Sequence, residues 1–173
     1  MSTSLYDISV PCYLQVLGSV ANVMQKTADH YQENGMDLAE LVSMQLQPDM
    51  LPFSFQINSV KHHSLGTIEG LQRGELNPPP SLGELDFAGL QGLVSDAIAG
   101  LEALDADQVN AFSGKEMFFR MGDFEIPFTA ENFVLSFSLP NLYFHATTAY
   151  DMARISGVQI GKMDYLGQMR VGA

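Results

Sequence analysis

A chain of 173 residues that is 46% hydrophobic is long enough for one domain, residues 1–173, with a sizeable core. Eight Lys and Arg against twenty Asp and Glu give a net charge of −12, a surface that repels phosphate backbones and anionic lipid and so argues against nucleic acid and membrane as partners. The single cysteine, Cys12, excludes an internal disulfide and suits a cytoplasmic protein.

The first helical period runs through Val10, Tyr13, Leu14, Leu17, Val20, Ala21, Met24 and Ala28, with Pro11 placed in its first turn and Asn34-Gly35 as its stop. Asp37 with Glu40 reads as a capping box for a short connecting helix. A second long helix is predicted from about Met50 to Arg73, with Phe53, Ile57, Val60, Ser64, Ile68 and Leu71 facing inward. Gly74 and Asn77-Pro78-Pro79-Pro80 end it as a stiff surface linker. Ser81 with Glu84 is read as the cap of a third helix that carries Leu85, Leu90, Leu93, Val94, Ala97, Ile98, Leu101 and Leu104.

Met117, Phe118 and Phe119, then Met121-Gly122-Asp123, then Phe124, Ile126 and Phe128 at strict alternation predict a β-hairpin, with Pro127 placing its second strand at an edge. Thr129 caps a fourth helix from about Ala130 to Ser156, stopped by Gly157 and bent at Pro140. Four long helices and one hairpin make an all-α chain, an up-down four-helix bundle with a small β-hairpin before the last long helix. On a continuous wheel the last helix is apolar on two sides. Phe133, Phe137, Asn141, Phe144, Thr148, Met152 and Ile155 lie inward, and Leu139, Tyr143, Ala146 and Tyr150 lie outward. The outer side needs a cover, either the chain's own tail or a second copy, and a homodimer through this face is the expected arrangement.

Function is sought where polar groups sit on buried faces. His62 projects about 170° away from the inner stripe of the second helix and His63 about 90° away. Asn141 and His145 are four apart within the inner stripe of the fourth, so His63, Asn141 and His145 can meet between the two helices. Such a set supplies two imidazoles and an amide to a divalent metal, Zn²⁺ or Ni²⁺, with an open position for water or a thiol. Without a metal, His145 becomes the candidate catalytic general base, oriented by Asn141. The plain structural reading is that the three satisfy one another and nearby carbonyls inside the core.

The run from Leu139 to Tyr150, followed by Ile155-Ser156-Gly157-Val158 and Ile160 to Gly167, resembles an uncharacterised bacterial family within the DinB/YfiT-like superfamily. Leu5-Tyr6-Asp7, Val10-Pro11, Pro48-Asp49-Met50, Gln56-Ile57, His63 and Gly66 extend the likeness over about residues 5 to 167. The resemblance implies a DinB-like bundle, often dimeric, with a three-histidine divalent-metal site and, in several members, metal-dependent chemistry on thiols or other small molecules. It carries the first ligand onto His63 and the last onto His145. Asn141 stands where the middle histidine is expected.

Overall fold

Ser4 opens the first helix, α1 (Leu5–Glu33): its hydroxyl accepts from the Asp7 N–H while the Asp7 carboxylate accepts from the Ser4 N–H. This capping box starts the helix five residues before Val10, so Pro11 lies inside it rather than in its first turn. Pro11 has no N–H for the Asp7 carbonyl, and the Cys12 thiol lies 3.9 Å from that oxygen. The structure, a computed structural model, describes residues 3–172; the ends of the predicted 1–173 span lie outside them.

Asp37 caps α2 (Leu38–Ser43) through the Ala39 N–H. The predicted second helix is two helices, α3 (Phe53–His62) and α4 (Leu65–Arg73). The break has a local cause. In a continuous helix the Ser64 N–H would donate to Val60, but the Ser64 hydroxyl takes that carbonyl at 2.7 Å and its N–H turns to Lys61. Gly74, at φ +80°, then directs Glu75–Leu76 alongside the hairpin as β1.

Asp86, not Ser81, caps α5 (Phe87–Glu102), accepting from Gly89 N–H at 2.8 Å. A short α6 (Ala106–Asn110) follows. The predicted hairpin is β2 (Glu116–Met121) and β3 (Phe124–Thr129), turned at Gly122 with φ +60°. It belongs to a three-stranded sheet of order β1-β2-β3, in which β1 runs parallel to β2 and β3 is an edge strand carrying Pro127. Gly70 lets α4 lie on this sheet, because a Cβ there would stand 3.0 Å from the Glu75 carbonyl and 3.1 Å from Met117.

Thr129 caps α7 (Ala130–Phe133), which continues through a π-helical turn (Val134–Ser138) into α8 (Leu139–Ile155). The irregularity expected at Pro140 thus takes the form of a widened turn in which Leu139 N–H reaches back to Val134. One residue inserted into a turn rotates everything after it by about 100°. The wheel prediction fails in part: Phe133, Thr148 and Met152 are buried and Tyr143 exposed as expected, but other positions are reversed. Leu139 and Ala146, expected outside, are buried, while Phe144 and Ile155, expected inside, are 59% and 66% exposed.

The core lies where α1, α3, α5 and α8 pack together, around Tyr13, Leu17, Phe53, Ile57, Leu101, Phe133 and Leu142. The tail returns through α9 (Lys162–Leu166) onto α1: Gln15 donates to the Leu166 carbonyl, Ser19 to Asp164, and Lys26 pairs with the Asp164 carboxylate at 2.6 Å. Tyr165 stacks edge-on against Tyr150, so part of the outer side of α8 is covered by the chain itself. Among the described residues no helix is long and apolar enough to cross a membrane.

Candidate functional site

Two helix irregularities meet and are tied together. The break after α3 frees the His63 carbonyl, and the π-helical turn presents the Ser138 hydroxyl, which donates to that carbonyl at 2.7 Å. Ser138 has one proton to give, so the other two contacts must be donated to it. These are the Tyr13 hydroxyl at 2.8 Å and the Thr67 hydroxyl at 2.9 Å. This fully satisfied buried cluster joins α1, the α3–α4 break, α4 and the last helix.

His63 itself is 4% exposed, and its ring lies parallel to that of His145, with centroids 5.8 Å apart and planes 7° apart. Phe55 and Phe144 meet the His145 ring edge-on, and Phe137 meets His63 in the same way. Burial is the main cause that holds His63 down to about 3, with the positive forms of His62 and His145 adding to it. Burial likewise lowers His145 to about 4, helped by His62. Both rings are therefore uncharged at neutral pH.

His145 Nδ1 is 2.8 Å from the Gln56 Oε1. Gln56 is 3% exposed, and its amide N–H donates to the Leu51 carbonyl at 2.8 Å. The orienting amide is thus Gln56 on α3, not Asn141 on α8. Asn141 is half-buried and donates to the Phe137 carbonyl at 2.7 Å, one turn back along its own helix. The structure brings His63 and His145 together and gives Asn141 a separate partner.

The structure also brings in His62, which the wheel reading turned toward solvent. It is 8% exposed, its ring meets that of His63 at 5.2 Å, and its Nε2–H donates to the Asn77 carbonyl at 2.8 Å. The helix angle is as expected, but the proline-rich segment folds back as a lid on that side. Asn58, one turn earlier, donates to the Pro80 carbonyl at 2.9 Å, and the Asn77 side chain reaches the Arg120 carbonyl. Burial lowers the His62 pKa, and its bond to Asn77 opposes the shift. The sequence signal was available in the i, i+4 pair Asn58 and His62, polar groups of equal spacing beside a chain segment rich in carbonyls and poor in N–H. Gln56 left a fainter signal, as a polar residue one helical turn behind the inward Val60.

Two buried side-chain atoms lack a partner among the described residues, Ser59 Oγ on α3 and His63 Nδ1 at its C-terminal cap. An orphaned imidazole nitrogen is what a metal ligand would leave, but only two of the three expected ligands are imidazoles set beside each other. The His63 and His145 rings lie at 7° to one another with centroids 5.8 Å apart, and the Asn141 amide N–H is given to the Phe137 carbonyl. Among the described residues no three His, Cys, Asp or Glu side chains are grouped to hold a metal ion. Among the described residues the fit to Zn²⁺ or Ni²⁺ therefore rests on two imidazoles, His63 and His145, one ligand short of a three-ligand open site. Two open surface clefts, of about 850 and 870 Å³, are lined by other residues, though the second shares Phe55 with His145.

The family described as domain of unknown function DUF1993 matches residues 5–166. The crystal structure of a DinB family member protein from Shewanella denitrificans is similar in fold, with a TM-score of 0.81 at 23% identity over 98% of this chain and 95% of that one. No curated protein matches the sequence.

Proposed function

The chain belongs to the DUF1993 family and has a DinB-like fold; from its geometry we propose a polar pocket at His63 and His145 that binds a small uncharged molecule without a metal. One observation carries this reading: two uncharged imidazoles lie near-parallel with centroids 5.8 Å apart, edged by Phe55, Phe137 and Phe144, with one ring hydrogen-bonded to Gln56. A net charge of −12 favours a neutral ligand over an anion.

Basicity decides what His145 does there. A ring with a pKa of about 4 does not retain the proton of a thiol whose pKa is near 8.5. Its proposed role is therefore to accept a hydrogen bond and orient the ligand, leaving the proton on the ligand. In this reading the four rods α1, α3–α4, α5 and α7–α8 form one up-down bundle spanning residues 1–173 in the cytoplasm.

The test is titration of tag-free wild type and His145→Ala with Zn²⁺ and Ni²⁺, followed by calorimetry. Weak, substoichiometric uptake that is equal in both proteins is expected. Tight one-to-one binding that His145→Ala abolishes would replace the reading with a metal centre.

A second, non-enzymatic reading, a homodimer, rests on one observation. Tyr143 and Phe144, consecutive on α8, stand 43% and 59% exposed.

A further inference from the structure

We infer that Gln56 fixes the His145 ring in its Nδ1–H form, so that Nε2 is the atom offered to a ligand and the pocket selects molecules that bring a hydrogen-bond donor, an alcohol or a thiol. The ligand class rests on the pocket reading above; the role of Gln56 does not.

The assignment follows from donors and acceptors alone. The Leu51 carbonyl can only accept, so the Gln56 NH₂ must face it and the Gln56 carbonyl oxygen must face His145. That oxygen also only accepts, so His145 Nδ1 must carry the proton. In an uncharged imidazole the other nitrogen then carries the lone pair. His145 Nε2 has no hydrogen-bond partner among the described residues, and it is not sealed in the interior as His63 Nδ1 is.

A chain of three groups, Leu51 carbonyl, Gln56 amide and His145 ring, thus sets the polarity of the pocket from outside it. Gln56 is a positioning residue: it acts on a ligand only through the ring. Because Gln56 is buried and comes from α3 while His145 comes from α8, the ring is held by a helix other than its own. Ligands that only accept hydrogen bonds, such as ethers and ketones, meet a lone pair at Nε2 and gain nothing. Phe55 and Phe144 at the ring edges favour an apolar body behind the donor.

The experiment uses the full chain with ¹⁵N-labelled histidine at pH 7, with His145 assigned by comparison with His145→Gln. Wild type should show an unprotonated Nε2 and a protonated Nδ1 at His145, and Gln56→Leu should move the ring toward a mixture of the two forms. Phenol, a neutral donor, should shift the Nε2 signal and bind at least about tenfold more tightly than anisole, which has the same ring but no donor. That preference should shrink in Gln56→Leu.

A wild-type ring protonated on Nε2, or one left unchanged by Gln56→Leu, overturns the role of Gln56. The wild-type spectrum needs no variant to fold. Equal binding of phenol and anisole overturns the ligand class while leaving the pocket in place. A correct ring form with no response to phenol overturns the ligand class and the pocket reading together, and leaves Gln56 as the residue that sets the ring.

Discussion

Ser138 and Ser59 are both fully buried hydroxyls, yet one makes three hydrogen bonds and the other none. Their replacement by alanine should therefore differ sharply. Ser138→Ala strands the Tyr13 and Thr67 hydroxyls and the His63 carbonyl, and should cost about 3 kcal/mol in urea unfolding. Ser59→Ala removes a group that has no partner and should be neutral or slightly stabilising; a loss above about 1 kcal/mol would mean the hydroxyl is bonded. The histidines add a pH dependence whose sign is fixed. In the folded chain His63 and His145 sit at about 3 and about 4, while unfolded histidine lies near 6.5. The unfolded chain takes up protons first as pH falls. Stability is thus complete above pH 6.5 and declines on acidification from there toward the folded values. Between pH 7 and 5, before most carboxylates titrate, each ring contributes at most about 1.4 kcal/mol per pH unit. His63→Phe should flatten that slope by the share of one proton, as read by urea midpoints at several pH values. An unchanged slope would show that His63 is not enclosed.

At the scale of elements, the π-helical turn decides which side of α8 faces the core. Leu142→Ala should cost about 2–5 kcal/mol, whereas Phe144→Ser should change stability by less than about 0.5 kcal/mol. A continuous helix would place Phe144 inside and reverse the order. Gly70→Ala should cost about 1–3 kcal/mol, because its new methyl meets the Glu75 backbone. These same elements show what the sequence makes legible. The stops at Asn34-Gly35 and Gly157, the Thr129 cap and the turn at Gly122 are local chemistry, and the structure keeps all of them. The meeting of His63 with His145 is legible too, since the amphipathic pattern of α3 and of α8 brings these two helices together even though His63 sits in the break that ends α3. What was hidden depends on competition between groups. Ser64 could have continued a helix as readily as it captured Val60. A regular helix and a π-helical turn have the same composition around Pro140. The Asn77–Pro80 segment reads as exposed until Asn58 and His62 are seen to hold it, and Asn141 reads as part of the site until Phe137 is seen to take its amide.

For the molecule as a whole, the net charge of −12 and the three joined histidines pull in opposite directions on acidification, one relieving repulsion and the other forcing charge into the interior. The proposed dimer is tested at this scale. If Tyr143 and Phe144 form its contact, Tyr143→Glu should give monomers in size-exclusion chromatography, because a carboxylate buried there without a partner is costly. An unchanged elution volume would remove that interface. The pocket reading depends instead on two enclosed, uncharged rings, and NMR titration of His63 and His145 in the intact chain tests that most directly. Neither ring should take up a proton between about pH 7.5 and 5, and either one titrating near 6.5, as a free imidazole does, would contradict it.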